Sequence, residues 1–132
     1  MRTPAEILRD ARTIAIVGAS PRPNRPSHGV MCYLLSQGYR CIPVRPGDCD
    51  EVLGVPCVRS LGDIDEPIDL VDVFRRPEFC ADVAREAVTA GAGALWLQLG
   101  IVSPEARQIA GDAGLDYVED LCTAVVHAQE LA

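Results

Sequence analysis

A doubly wound α/β fold, one domain over residues 1–132 around a parallel sheet of about five strands, is what this sequence predicts. Three observations lead there. Short apolar runs alternate with helical patterns along the whole chain, and strand, helix, strand in succession demands parallel pairing through crossovers. The runs are almost continuously apolar, as in strands covered on both faces. A length of 132 residues with 48% hydrophobic content supplies one well-buried core and leaves no room for a second domain.

The elements follow in order. "TPAEILRDA" opens with Thr3, Pro4 and Glu6 in capping-box spacing, which predicts a short first helix. "TIAIVGA" is the first strand. "SHGVMCYLLSQG" reads as a helix with Ser27 as N-cap, Val30, Met31, Leu34 and Leu35 on its apolar stripe, and Gly38 as its stop. "YRCIPV" is the second strand. The stretch from Asp48 to Asp65 is less regular and predicts only a turn of helix near "SLGDI". "IDLVDVF" is the third strand, and "PEFCADVAREAVTAG" a helix with Pro77 in its first turn and Gly91 at its end. "ALWLQLG" is the fourth strand, "SPEARQIAGDAG" a helix opened by Ser103 and Pro104, and "LDYVED" a weaker fifth strand.

Composition narrows the function. A net charge of −7 is wrong for a general nucleic-acid binder, which needs a broad basic surface. No apolar stretch reaches the roughly 18 residues a membrane span needs, and "MRTPAEILRD" lacks the apolar centre of a secretory signal. A cytoplasmic protein is expected. Six cysteines without CxxC spacing then predict reduced thiols, and with only two histidines beside them no metal site is expected. All 12 basic residues are arginine. Without lysine, a Walker-type phosphate loop, Schiff-base chemistry and a phospho-accepting receiver domain are all excluded.

In a sheet of this class ligands bind beyond the carboxyl ends of the strands, where helix N-termini and loop amides converge. The loops at that edge are "GASPRPNRPS", "VRPG", "FRRP", "QLG" and "DLCT". They carry Arg22, Arg25, Arg45, Arg75 and Arg76, five of the 12 arginines of an acidic chain. Guanidinium forks beside a helix N-terminus fit a polyphosphorylated nucleotide. An NAD site needs a carboxylate after the second strand to hold the ribose hydroxyls, whereas Arg45 stands there and suits a phosphorylated ribose. That leaves NADP or a 3′-phospho-ADP group such as that of coenzyme A. The first loop departs from G-x-G-x-x-G, which disfavours a dinucleotide.

The blocks "VGAS", "RPSHGV", "YLLSQGY", "IPV", "SLGDI", "LVDVFR", "LWLQLGI" and "DLC" run through almost the whole chain. Together they resemble the small stand-alone CoA-binding proteins, similar to the Rossmann-like CoA-binding N-terminal domain of the succinyl-CoA synthetase α-subunit. The resemblance implies coenzyme A or an acyl-CoA as ligand. By matching motif, it implies a site formed by Gly18, Ala19, Ser20, Arg25, Pro26, Ser27, Val44, Pro46, Val73, Phe74, Arg75, Gln98 and Gly100, with Arg45 and Cys122 beside them. Arg45 stands where asparagine is common in that family, and Leu121 where an arginine commonly precedes the cysteine.

Plainer roles compete with these. Arg25 and Arg75 are also placed to pair with Asp72 or Glu78, and Gln98, polar within an apolar run, requires either a ligand or a neighbouring loop as partner. Trp96 is expected in the core, and Cys122 could be an inert buried thiol. Asp72 and Asp120 form no mechanism without a nucleophile, acceptor or metal, so no catalytic residue is assigned. The expected function is binding of a small nucleotide ligand without catalysis. An NADP-dependent oxidoreductase, or a regulatory or scaffold domain that has lost its ligand, is the alternative.

Overall fold

A computed structural model describes residues 1–132. Its central sheet is parallel throughout, with β1 (Thr13–Val17) flanked by β2 (Arg40–Val44) and β5 (Leu70–Val73), followed by β6 (Ala94–Leu97) and β7 (Asp116–Val118), in the order β2-β1-β5-β6-β7. Strand order reverses between β1 and β5, so the loops after these strands diverge and leave a crevice above the sheet. The five strands are those the sequence predicts.

Strand alternation sorts the two cores. Ala15, Val17, Val71, Val73, Leu95 and Leu97 face α3 (Pro77–Thr89) and α4 (Pro104–Asp112), while Ile14, Ile16, Leu70, Ala94 and Trp96 face α1 (Pro4–Asp10), α2 (Pro26–Ser36) and α5 (Thr123–Glu130). Both layers are dry, as the continuous apolar runs require. No helix is long and apolar enough to cross a membrane.

The helix ends show where local chemistry acts as read and where it does not. Thr3 caps α1 in a complete capping box with Glu6, and the Ser103 hydroxyl accepts a hydrogen bond from the Ala106 N–H at 3.1 Å. Ser27 is not a cap. Arg25 occupies the cap position of α2, Pro26 takes the first helical position, and Ser27 lies one residue inside, buried. A proline with φ already set for helix starts the turn one residue earlier than a serine cap would.

Between β2 and β5 lies a feature the sequence reading leaves irregular. A two-stranded hairpin, β3 (Glu51–Val52) with β4 (Val55–Pro56), turns through Leu53 and Gly54, both at positive φ. It brings Cys49 and Cys57 to a Cα separation of 5.9 Å, and they are joined by a disulfide. The expectation of six reduced thiols is therefore corrected: four cysteines are free and two are bonded. Antiparallel pairing sets the two sulfurs face to face, which spacing along the chain does not reveal. The turn of helix near "SLGDI" is present as a 3-10 turn, Leu61–Asp63.

Candidate functional site

The crevice at the reversal point is a cavity of about 570 Å³ lined by Gly18, Ser20, Arg22, Arg25, Pro26, Ser27, Val30, Arg45, Phe74, Gln98, Leu99, Ile101 and Cys122. That volume is in the range of cofactor pockets. Its floor is set by backbone. Gly18, at φ +86°, leaves β1 with its N–H donated to the Val44 carbonyl at 3.0 Å. A Cβ there would sit 2.7 Å from the Phe74 carbonyl oxygen, so only glycine lets the first and third loops approach so closely.

Above this floor the first loop curls back on itself. The Ser20 hydroxyl accepts from the Arg22 N–H at 3.1 Å, and no side chain caps α2, where Pro26 has no N–H, the His28 N–H donates to the Arg25 carbonyl at 3.0 Å and the Ser27 N–H is left for an anion. Arg22 and Arg25 are exposed and make no side-chain hydrogen bond or ion pair. Arg45 is held in place, its Nη1 donating to the Ala19 carbonyl at 3.1 Å. One lining wall thus carries three guanidinium groups, none spent on a carboxylate.

The opposite wall is apolar, formed by Leu99, Ile101 and Cys122. Between the walls stands Gln98, only 4% exposed. Its Nε2 donates to Asp72 Oδ1 at 2.5 Å and to Thr123 Oγ1 at 2.8 Å, while the threonine hydroxyl donates to Asp72 Oδ2 at 2.9 Å. Asp72 is wholly buried with no cation beside it; desolvation pushes its carboxyl up to about 7, against the two hydrogen bonds that favour its charge. Register explains the meeting: Asp72 pairs with Ile16 and Trp96, on the sheet face that α5 covers. Gln98 thus finds its partners within the protein at Nε2. Its Oε1 makes no hydrogen bond, yet no buried side-chain polar atom lacks a partner, so this oxygen faces the cavity.

The structure brings nine of the residues expected from the sequence to the cavity wall: Gly18, Ser20, Arg25, Pro26, Ser27, Arg45, Phe74, Gln98 and Cys122. Ala19, Val44 and Val73 lie just beneath, with side chains in the core. Pro46 and Gly100 are exposed beside the rim. Arg75 does not line the cavity; its stem passes close to Gly18 and its guanidinium lies 4.4 Å from the centre of the Phe79 ring. Neither Arg25 nor Arg75 pairs with Asp72 or Glu78. Cys122 begins α5 and is half-exposed. Trp96 is in the core, donating its indole N–H to the Leu121 carbonyl at 2.8 Å. Arg22, expected at this edge though not in the site implied by resemblance, also lines the wall, and Val30, Leu99 and Ile101 join it without having been expected there. Asp120 serves structure, its carboxylate accepting from the Gly100 N–H at 2.7 Å and so tying the loops after β6 and β7. No three His, Cys, Asp or Glu side chains gather where they could hold a metal ion.

Comparison with known proteins places this geometry. The profile of the family described as CoA binding domain matches residues 12–128. The chain is 46% identical over 123 residues to the uncharacterized protein YneT of Bacillus subtilis, covering 93% of this chain and 90% of that one. Among solved structures, a hypothetical protein from Pyrococcus horikoshii superposes with a TM-score of 0.94 at 37% identity, over 99% of this chain and 94% of that one. The cell-free ID.343 protein from Thermus thermophilus gives 0.91 at 40% identity, over 97% and 98%.

Proposed function

The chain belongs to the CoA-binding domain family, and from that premise we propose that its cleft binds coenzyme A or an acyl-CoA, by recognition and without chemistry of its own. One observation carries the reading: Arg22, Arg25 and Arg45 converge on one wall of the crevice with no carboxylate to neutralise them. Three cations, one of them held in place, beside the uncapped start of a helix match a ligand with several phosphates.

In this reading the loop from Gly18 to Ser27 holds the pyrophosphate. Arg45 takes the ribose 3′-phosphate. Backbone of Ala19, Val44, Pro46 and Val73, with the Phe74 ring and the Arg75 main chain, flanks the adenosine. Gln98, Gly100 and Cys122 receive the pantetheine arm. Residues 1–132 act as one ligand-binding unit, and a ligand of the cell interior puts the protein in the cytoplasm. The one thiol on the cleft wall, Cys122, has no hydrogen-bonded base beside it, and Asp72 is already hydrogen-bonded to Gln98 and Thr123.

Calorimetric titration with CoA, dephospho-CoA and NADPH tests the reading. CoA is expected to bind about tenfold or more tightly than dephospho-CoA, the worth of a charge-assisted hydrogen bond. Arg45→Ala is expected to erase that difference. Tight NADPH binding without CoA binding would replace the reading with that of a nucleotide-dependent oxidoreductase, and no binding at all would make this a scaffold.

A further inference from the structure

We propose that the cleft selects a thioester whose acyl group is neutral and apolar, and discriminates against acyl groups that end in a carboxylate; this rests on the CoA reading above. The two walls of the cavity differ in kind because the sheet order separates them. Arg22, Arg25 and Arg45 come from the loops after β1 and β2, and Leu99, Ile101 and Cys122 from those after β6 and β7. No arginine lines the second wall.

The apolar wall also continues outward. Leu99, on the cavity wall, is 70% exposed, and Val102 and Leu121, next in sequence to the lining residues Ile101 and Cys122, are 43% and 40% exposed. Leu121 lies in the loop just before the Cys122 cap of α5, and Val125 in the first turn of that helix. A ligand anchored by its phosphates on the arginine wall passes Gln98 before it reaches this surface. The Oε1 atom there is fixed by the hydrogen bonds at Nε2 and presents an acceptor to the cavity, which suits an amide N–H in the ligand's arm. The lining side chains contributed beyond it by the loops after β6 and β7 are Leu99, Ile101 and Cys122.

Charge sharpens the selection. The charged residues of the loop that ends this wall are Glu119 and Asp120, and Asp120 is pinned in place by the Gly100 N–H. A carboxylate brought to this wall on the ligand finds no cation among the residues that form it, and the adjoining loop carries only like charge. An alkyl chain finds surface that is otherwise left in water, and each methylene half-covered is worth about a twofold gain in affinity.

The test is a calorimetric series on the full chain with free CoA, acetyl-CoA, butyryl-CoA, hexanoyl-CoA and succinyl-CoA. Affinity is expected to rise about tenfold from acetyl to hexanoyl, and succinyl-CoA to bind about tenfold more weakly than butyryl-CoA. Leu99→Ser is expected to flatten the chain-length dependence, and Leu99→Arg to shift preference toward succinyl-CoA; at an exposed loop position neither disturbs folding. Free CoA that binds while the series is flat, or succinyl-CoA that matches butyryl-CoA, overturns the inference and leaves the CoA reading standing. Failure of every ligand, free CoA included, overturns both.

Discussion

Asp72 lies wholly buried with no positive charge against it, and its two oxygens accept from Gln98 and Thr123 alone. Burial raises its folded-state pKa to about 7, well above the ordinary value of an aspartate in an unfolded chain. Between those two values the folded protein holds a proton that the unfolded chain has released. Stability from this group is therefore full below about pH 4, declines by up to about 1.4 kcal/mol per pH unit as the pH rises, and is lost once it passes 7. Asp72→Asn keeps an acceptor for Gln98 and has nothing to titrate. Urea midpoints at acidic and neutral pH should give a difference between wild type and variant that grows steadily with pH in the variant's favour. Parallel pH dependences would mean that Asp72 stays ionised in the folded state. The same residue marks a limit of sequence reading, because "LVDVF" shows a carboxylate in a buried strand without showing that the Thr123 hydroxyl, 51 positions away, meets it.

At the scale of elements, what was legible is what periodicity and punctuation encode. Near-continuous apolar runs located four of the sheet strands, since strands covered on both faces have no polar side to interrupt them, while the fifth, at the sheet edge, showed only a weaker pattern. The β3–β4 hairpin was not legible: two-residue strands carry no alternation, and its turn is Leu53-Gly54 where Asn-Gly or Asp-Gly would have signalled two positive φ values. At the cleft, resemblance named the loops that line it but not which of their atoms face it. Val44 and Val73 stand at strand ends whose pleat sends their side chains to the core, while Leu99 and Ile101, on either side of Gly100, reach the wall. Apolar residues left just past a strand end were the available signal for them. The hairpin also carries a prediction of its own. Alkylation of unfolded protein prepared without reductant should label four cysteines, and six after reduction. Closing so short a loop is worth about 2 kcal/mol at most of chain entropy, so a Cys49→Ser, Cys57→Ser double variant should fold with a modestly lowered urea midpoint. Six labelled thiols without reductant would show that the two sulfurs are neighbours only, the state a reducing cytoplasm favours.

For the whole molecule the governing contrast is between a net charge of −7 and three unpaired arginines on one wall of one cleft. A ligand phosphate at the mouth feels both, and ionic strength decides how far each reaches. At about 0.15 M salt the screening length is about 8 Å, so an approaching anion senses nearby guanidinium groups while the acidic remainder of the surface is largely masked. At about 0.01 M the screening length is about 30 Å, comparable with the whole domain, and the net negative field extends past the cleft. Electrostatic steering then turns from attraction to repulsion. The association rate of CoA, measured by stopped flow, is therefore expected to fall about two- to tenfold when salt is lowered across that range, the reverse of the behaviour of a basic nucleotide-binding protein. Arg45→Ala removes part of the local attraction while changing the net charge by only one unit, so its association rate should fall at the higher salt, where nearby arginines dominate what the ligand senses. A wild-type rate that instead climbs as salt is withdrawn would show that the cleft arginines dominate the field even at long range, and that the acidic surface elsewhere has no part in setting how the ligand arrives.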